Sequence, residues 1–282
     1  MRRFQQLDVF TAVPLKGNPL AVVLDAEGLS DEQMQAFARW TNLSETTFLL
    51  PPTDPAADYR VRIFTTAREL PFAGHPTLGS CHAWLAGGGQ PRGEDVVQQC
   101  GVGLVRVRRD GDRLAFAAPP LLRSGALDDA TLAKIRLALG LTGEDIVAHQ
   151  WVDNGPGWCA VMLRSREQLL AIRPDFRLLA PLELGVVAPI HKVGAVAPGA
   201  GEAQFEVRAL LSLEAVPEDP VTGSLNAGLA QWLIGAGLAS PRYVAAQGTV
   251  LGRDGRVFVE QIGDTVWIGG HVTPLVEGQV RL

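Results

Sequence analysis

The residue best placed for proton chemistry is Glu45, which directly precedes an apolar stretch in the segment Ser44-Glu45-Thr46-Thr47-Phe48. At the mouth of an apolar strand, we expect its carboxyl group to be partly removed from water. Desolvation raises the pKa of a glutamate from about 4.3 toward neutrality. A carboxyl group with such a pKa can remove a proton and also return it. The residues alone leave open the alternative that Glu45 is a solvated glutamate at a strand edge.

Two more polar residues stand beside turns that open predicted helices. His75 follows Gly74, and a histidine in that place can hydrogen-bond a substrate or carry a proton. Asp219 precedes Pro220, and its carboxylate could pair with a substrate amine or with His75. Each residue also has a structural interpretation, as a capping or packing histidine and as an ordinary turn aspartate.

The same two helix starts predict an anion site. The first turn of a helix leaves backbone N–H groups without intrahelical partners, and the positive end of the helix dipole lies there. We therefore expect the carboxylate of a small substrate to lie against N–H groups near Gly74 and Gly223. Ser224 is either a further ligand or a helix cap, and its surroundings lack the Gly-x-Ser-x-Gly pattern of an acyl-transfer nucleophile. Asn18 either lines the same site or only holds its own Gly-Asn-Pro turn.

Both helix starts belong to a repeat, which sets the expected architecture. Residues 69–79 can be aligned without gaps on residues 218–228, and the alignment matches a glutamate, a proline and two glycines. Both segments follow a strand that contains Val-Arg, and each helix precedes a polar-Gly step and a hairpin. The chain therefore looks like two copies of one unit, with the boundary between residues 118 and 119.

Strands predominate over helices among the predicted elements. We expect helices over residues 31–40, 76–85, 130–139 and 166–172 and after Gly223, and strands over residues that include 4–11, 20–24, 158–163 and 193–196. Because the helices do not alternate regularly with the strands, the pattern favours an α+β fold with mostly antiparallel sheets over a Rossmann fold.

Composition excludes several classes of partner and site. The chain has 282 residues, 47% of them hydrophobic and 20% charged, and a net charge of −5. These values predict a soluble globular protein without the basic field that nucleic acid or an acidic membrane surface would require. We expect a cytoplasmic location, because no apolar run could span a membrane and the first residues lack the apolar core of a signal peptide. The three cysteines and five histidines lack zinc-ligand spacing, so no metal is expected.

Five segments that occur in one order resemble the phenazine-biosynthesis PhzF-like isomerase family. The resemblance covers essentially the whole chain, and its most specific part is the Asn-Leu-Ser-Glu-Thr-Thr block together with Gly-His-Pro-Thr. The segments are Gly17-Asn18-Pro19-Leu20-Ala21-Val22-Val23, Asn42-Leu43-Ser44-Glu45-Thr46-Thr47-Phe48, Arg62-Ile63-Phe64-Thr65, Pro71-Phe72-Ala73-Gly74-His75-Pro76-Thr77-Leu78-Gly79 and Glu218-Asp219-Pro220-Val221-Thr222-Gly223-Ser224.

The resemblance implies the diaminopimelate-epimerase-like fold. In that fold, two pseudo-symmetric halves each wrap a mostly antiparallel sheet around a central helix, and the active site lies in the cleft between them. We expect the halves over residues 1–118 and 119–272, with a last strand near residues 273–282 crossing back to the first half. The resemblance also implies a homodimer that needs no metal or organic cofactor.

The family's functional residues can be carried over one by one. Its acid/base glutamate falls on Glu45, and its cleft histidine, aspartate and serine fall on His75, Asp219 and Ser224. The hypothesis therefore assigns catalysis to Glu45, His75 and Asp219. It assigns substrate binding to Asn18, Gly74, Gly223 and Ser224.

The expected reaction is a cofactor-independent isomerisation of a small cyclic or conjugated carboxylate. Glu45 would remove a proton from one carbon and return it to another carbon on the same face, and the family makes trans-2,3-dihydro-3-hydroxyanthranilate a candidate substrate. Epimerases and racemases of this fold use two cysteine thiols at the helix starts, and neither helix start here contains a cysteine. Two alternatives remain open: an epimerase or racemase with non-cysteine bases, and a non-catalytic small-molecule-binding protein.

Overall fold

The computed structural model describes residues 1–190, 202–212 and 217–282. The chain divides into two compact units, the first formed by Met1–Ala117 with Ile268–Leu282 and the second by Ala118–Trp267. The chain therefore returns to the first unit for its last strand. The strand predicted over residues 193–196 lies outside the described residues.

The first unit is a mixed sheet that carries two helices. Its elements are β1 (Arg2–Val9), β2 (Asn18–Val23), α1 (Asp31–Thr41), β3 (Glu45–Leu50), β4 (Tyr59–Phe64), β5 (Glu69–Leu70), α2 (Gly74–Ala86), β6 (Val96–Cys100), β7 (Gly103–Asp110), β8 (Arg113–Ala117) and, as the last strand of the chain, β17 (Val272–Val280). Strand β1 pairs antiparallel with β17 and β2, and β2 pairs parallel with β3. Strand β4 pairs antiparallel with β3 and β5 and parallel with β6, while β7 pairs antiparallel with β6 and β8.

The second unit repeats the order of strands around a central helix and adds two helices and a 3-10 turn. Its elements are α3 (Asp129–Leu139), β9 (Ile146–Trp151), β10 (Trp158–Leu163), α4 (Arg166–Ala171), α5 (Phe176–Leu179), β11 (Glu183–Pro189), β12 (Phe205–Leu211), β13 (Glu218–Asp219), α6 (Gly223–Gly235), β14 (Arg242–Gln247), a 3-10 turn (Thr249–Leu251), β15 (Gly255–Ile262) and β16 (Thr265–Gly270). Strand β10 pairs antiparallel with β9 and parallel with β11, and β12 pairs antiparallel with β11 and β13 and parallel with β14. Strand β15 pairs antiparallel with β14. The pairings from β9 to β15 match those from β1 to β7 one for one, which confirms the predicted fold of two similar, mostly antiparallel halves.

Each unit is built around one buried helix. Every residue from Gly74 to Cys81 in α2 and from Gly223 to Ala230 in α6 is buried. A helix without a solvent face must be covered on all sides, and α2 contacts β1–β4 and β6–β8 of its own unit. No helix in the described residues is both long enough and apolar enough to cross a membrane.

A repeated glycine lets each central helix approach its neighbours closely. A Cβ atom on Gly79 would lie 2.5 Å from Cδ2 of Leu20, and one on Gly228 would lie 2.3 Å from the backbone oxygen of Val152. Both distances are shorter than a Cβ atom can normally approach another atom. Close helix packing therefore explains why glycine occurs at this position in both copies of the repeat.

Several predicted boundaries are off by one or two residues: the second strand begins at Asn18 rather than at residue 20, and α2 begins at Gly74 rather than at residue 76. The end of the first strand is a further example, and it has an identifiable cause. The first strand was expected to reach residue 11, but β1 ends at Val9. Phe10 adopts a left-handed conformation with a φ of 66°, and its backbone N–H donates to the carbonyl of His271. A residue in that conformation cannot continue a strand.

Candidate active site

The carboxylate of Glu45 is placed by the start of β3. Glu45 pairs in parallel register with Leu20 of β2. Thr47 lies two residues further on and therefore on the same face of the strand, where it accepts a 2.9 Å hydrogen bond from Ser80 of α2. The side chain of Glu45 thus points to the helix side of the sheet, and only 14% of it is exposed.

His75 meets Glu45 at the second residue of α2. Nε2 of His75 lies 3.5 Å from Oε2 of Glu45, and Nδ1 lies 3.3 Å from the amide nitrogen Nδ2 of Asn18. A separation of 3.5 Å is long for a hydrogen bond, but catalytic contacts often tighten only when substrate binds. The structure therefore brings together three of the predicted site residues of the first unit, Asn18, Glu45 and His75.

The His75 ring is neutral. Its side chain is 3% exposed, and burial lowers the pKa of His75 to about 3, against the opposing effect of a hydrogen bond with the Pro19 backbone. The contact with Glu45 is consequently a carboxyl group beside a neutral imidazole rather than an ion pair. A neutral ring can donate one hydrogen bond and accept another.

A chain of buried hydrogen bonds supports the first turn of α2. Thr77 donates through Oγ1 to the carbonyl of Ala73 over 2.9 Å, and Gln98 donates to the same Oγ1 over 3.0 Å. The hydroxyl of Tyr59 donates to Gln98 over 2.9 Å. This chain ties the helix start to β4 and β6 and fixes the backbone on which His75 is carried.

Asp219 lies in the second unit, at the end of β13, and is 7% exposed. Thr222 donates through Oγ1 to Oδ2 of Asp219 over 2.6 Å. Gln247 donates to the backbone oxygen of Asp219 and accepts from the backbone nitrogen of Thr222, over 3.1 and 3.0 Å. The carboxylate is therefore held in one orientation just before α6 begins.

Ser224, the second residue of α6, corresponds in the repeat to His75. The indole Nε1 of Trp158 donates to its Oγ over 3.0 Å, and Asn154 donates to its backbone oxygen over 2.8 Å. Because the indole occupies a lone pair of the hydroxyl oxygen, the hydroxyl hydrogen can be donated to a ligand. This arrangement is that of a hydrogen-bonding residue rather than of an activated nucleophile.

The second unit also contains a glutamate at the position of Glu45. Glu183 is the first residue of β11 and pairs in parallel register with Trp158, as Glu45 does with Leu20. Gly185, two residues further along the same face, lies against Leu225 of α6. The carboxyl group of Glu183 therefore lies on the α6 side of its sheet.

Sequence reasoning missed Trp158 and Gln247 as neighbours of the second helix start, and it did not single out Glu183. A signal for Glu183 existed, since aligning the two copies strand by strand places it on Glu45. No comparable signal marks Trp158 or Gln247, whose contacts depend on which residues of distant strands become adjacent.

Neither central helix is capped by the side chain of its own N-cap residue. The N-cap residues Ala73 and Thr222 make no side-chain capping bond to the helix. The first-turn N–H groups near Gly74 and Gly223 are thus not covered by a cap, as an anion site requires.

The buried cysteines are unsuited to proton transfer. Burial raises the pKa of Cys81, within α2, and of Cys159, within β10, to about 12 in each case. The reactive form of cysteine is the thiolate. A thiol with a pKa of about 12 is almost entirely protonated at neutral pH, so these cysteines supply very little thiolate. Within the described residues, no group of three or more His, Cys, Asp or Glu side chains is arranged to hold a metal ion.

Sequence comparisons relate the chain to a family of isomerases. A family model described as phenazine biosynthesis-like protein matches residues 7–278. The chain is 34% identical to Antisense-enhancing sequence 1 of Schizosaccharomyces pombe, over 98% of this chain and 97% of that protein. It is 33% identical to the trans-2,3-dihydro-3-hydroxyanthranilate isomerase of Pseudomonas aeruginosa, over 100% of both chains.

Structural comparisons agree with the predicted fold. A PhzF-family protein from Enterococcus faecalis matches with a TM-score of 0.80 at 26% identity, over 100% of both chains. A probable proline racemase from Agrobacterium radiobacter matches with a TM-score of 0.59 at 13% identity, over 100% of this chain and 93% of the other. The second likeness concerns the fold alone and confirms that it is epimerase-like.

Proposed function

The chain belongs to the phenazine biosynthesis-like protein family and is an isomerase, and we propose that it moves a proton within a small cyclic or conjugated carboxylate without a cofactor. The observation that carries the proposal is the nearly buried Glu45 carboxyl group, 3.5 Å from the neutral ring of His75. In this arrangement the glutamate is the proton carrier, because a histidine with a pKa of about 3 binds a proton poorly at neutral pH.

In the proposed mechanism, Glu45 removes a proton from one carbon of the substrate and returns it to another. A single carboxyl group can perform both steps only if the two carbons present the same face. The negative charge that develops between the steps is stabilised by hydrogen-bond donors, among which we place the neutral His75. The reaction needs no thiol, consistent with the raised pKa of the buried cysteines.

The remaining predicted residues are proposed to hold the substrate. Asp219 binds its amine or hydroxyl group, and Ser224 donates a hydrogen bond through the hydroxyl that Trp158 orients. Backbone N–H groups at Gly74 and Gly223 bind its carboxylate, because both helix starts are uncapped. Asn18 contributes through its contact with His75 rather than by binding the substrate.

The candidate substrate is trans-2,3-dihydro-3-hydroxyanthranilate, because a relative that matches over 100% of both chains at 33% identity is named as the isomerase of that compound. The molecule has the required chemistry, since it joins a carboxylate and an amine to a ring from which a proton can be shifted. We also propose that the enzyme is a cytoplasmic homodimer, and light scattering of the purified protein tests the dimer by its mass.

The test is conversion of this substrate, followed by its ultraviolet spectrum. Glu45→Gln keeps the size of the side chain but cannot carry a proton, so conversion should fall by about 10²- to 10⁴-fold. Glu94→Gln removes an exposed carboxylate of the same unit and should convert at the parent rate. Equal conversion by the parent and Glu45→Gln would remove Glu45 from the mechanism.

A second candidate function is epimerisation with two carboxyl groups. Inversion at one carbon needs two opposed acid/base groups, and the second unit supplies Glu183 at the position that repeats Glu45. Epimerisation would exchange the substrate hydrogen with solvent and invert one centre, and it would be abolished by Glu183→Gln as well as by Glu45→Gln. Under the isomerase proposal, Glu183→Gln keeps its proton transfer.

A further inference from the structure

The contact between Asn18 and His75 bears on which ring nitrogen carries the proton. Both residues are buried, Asn18 with no exposed surface and His75 with 2% exposed. The amide nitrogen of Asn18 lies 3.3 Å from Nδ1 of the ring. In this orientation of the amide, which places its nitrogen toward the ring, the amide is the donor and Nδ1 accepts the bond with its lone pair.

A neutral imidazole carries one hydrogen. If Nδ1 accepts from Asn18, that hydrogen must be on Nε2, the atom that faces Oε2 of Glu45. The hydrogen then points toward the carboxylate. In the opposite tautomer two lone pairs would face each other, and His75 would compete with Glu45 for a proton.

The backbone of Pro19 acts in the other direction. Proline has no backbone N–H, so its carbonyl can only accept a hydrogen bond from the ring, and it favours a proton on the nitrogen that it faces. Asn18 and Pro19 therefore favour opposite tautomers of the ring, and the tautomer reports which of the two bonds prevails.

We propose that Asn18 is a positioning residue that holds His75 as the Nε2–H tautomer, so that the ring serves as a donor toward Glu45 and the substrate. Asn18 acts through His75 and does not itself carry a proton. The catalytic meaning of the tautomer rests on the proposed function of Glu45, whereas the tautomer itself does not. The two can therefore fail separately.

The test is ¹⁵N NMR of the full-length protein with ¹⁵N-labelled histidine, without substrate, at about pH 8.5, where an ordinary imidazole is neutral. Protonated and bare ring nitrogens have distinct ¹⁵N shifts, and His75→Asn identifies the His75 signals. His149 is a matched internal control, because its Nδ1 accepts a 3.1 Å bond from the backbone nitrogen of Leu127. His149 should therefore also be an Nε2–H tautomer.

The proposal predicts a bare Nδ1 and a protonated Nε2 for His75 in the parent protein. In Asn18→Asp the side chain only accepts, so the hydrogen should move to Nδ1 of His75 while the His149 signals stay unchanged. A protonated Nδ1 in the parent, or an unchanged His75 tautomer in a folded Asn18→Asp, would overturn the proposal. The parent spectrum decides the question even if the variant does not fold.

Steady-state kinetics provide a second test once conversion of the candidate substrate has been measured. Asn18→Asp should lower kcat with little change in KM, because a donor to the developing charge is lost while the substrate contacts remain. A change confined to KM would instead identify Asn18 as a substrate ligand and contradict the positioning role.

Discussion

Nε2 of His75 lies 3.5 Å from Oε2 of Glu45, and this contact joins a carboxyl group to an imidazole that burial keeps neutral. The folded protein holds His75 with a pKa of about 3, whereas an unfolded chain holds it with a pKa of about 6.5. Between these values the unfolded state binds more protons. The free energy of unfolding therefore rises with pH in this window. The contribution of the neutral His75 is fully present above about pH 6.5 and is lost as the pH falls toward 3.

Replacing His75 should flatten this pH dependence. In His75→Asn, the slope of the unfolding free energy against pH between about pH 4.5 and 6 should fall by up to about 1.4 kcal/mol per pH unit. Urea unfolding at several pH values measures the slope. An unchanged slope would mean that the folded protein does not keep this ring neutral.

The repeated Arg-Glu pair allows a matched test of buried and exposed ion pairs. Arg208 donates to both carboxylate oxygens of Glu218 over 2.9 and 2.8 Å, and both side chains are less than 10% exposed. Arg62 holds Glu69 in the same two-bond geometry, but 42% of the Glu69 side chain is exposed. Arg208→Met should cost about 3–5 kcal/mol, because it leaves a buried charge without its partner.

Arg62→Met is the control, and it should cost about 1 kcal/mol or less, because water can solvate both carboxylates that it leaves behind, those of Glu69 and Asp31. Chemical denaturation of the two variants provides the comparison. Equal losses would contradict the view that burial sets the cost of breaking these pairs.

Close packing of the central helices predicts an order among glycine substitutions. Gly228→Ala should destabilise by about 1–3 kcal/mol, because its Cβ would meet a backbone oxygen 2.3 Å away. Gly79→Ala should cost less, because Cδ2 of Leu20 is the end of a side chain and can move. Gly235→Ala meets nothing within 4 Å, and alanine there should be neutral or stabilising by up to about 1 kcal/mol. Thermal unfolding of the three variants reveals the order, and a loss at Gly235 as large as that at Gly228 would contradict it.

The indole of Trp158 is predicted to orient the hydroxyl of Ser224. Trp158→Phe removes the 3.0 Å bond to Oγ and should cost about 1 kcal/mol of stability. If Ser224 binds substrate, the variant should also raise KM. Trp40→Phe alters an exposed ring and is expected to change neither quantity. A normal KM in Trp158→Phe would show that the orientation of Ser224 does not matter for binding.

The parts of the fold that sequence patterns predicted are those that depend on local signals. Ser30 and Gln33 form a capping box, a local sequence signal that agrees with the predicted helix start at residue 31, and the strand over residues 158–163 has the expected bounds. The repeat of Gly79 and Gly228 could be recognised in the sequence, and close helix packing disfavours a side chain at both positions. Glu45 and His75 were identifiable because each stands at the start of an element.

The rest depends on contacts between distant residues. Strand β9 was not predicted, because its sequence includes Ala148, His149 and Gln150, which form no apolar alternation. Gln247 reaches Thr222 only because β14 pairs parallel with β12, and nothing near Gln247 in the sequence indicates that pairing. The contact between Asn18 and His75 likewise follows from packing of β2 against α2.

The most direct test of the proposed proton transfer by Glu45 follows the hydrogen that migrates within the substrate. The candidate substrate, labelled with deuterium at the carbon that loses its proton, is converted in ordinary water by the parent and by Glu45→Gln. If Glu45 carries the proton from one carbon to the other, the product of the parent reaction retains deuterium at the new carbon and Glu45→Gln forms almost no product. Complete loss of deuterium to water with inversion of the original centre, or normal labelled product from Glu45→Gln, would contradict the account.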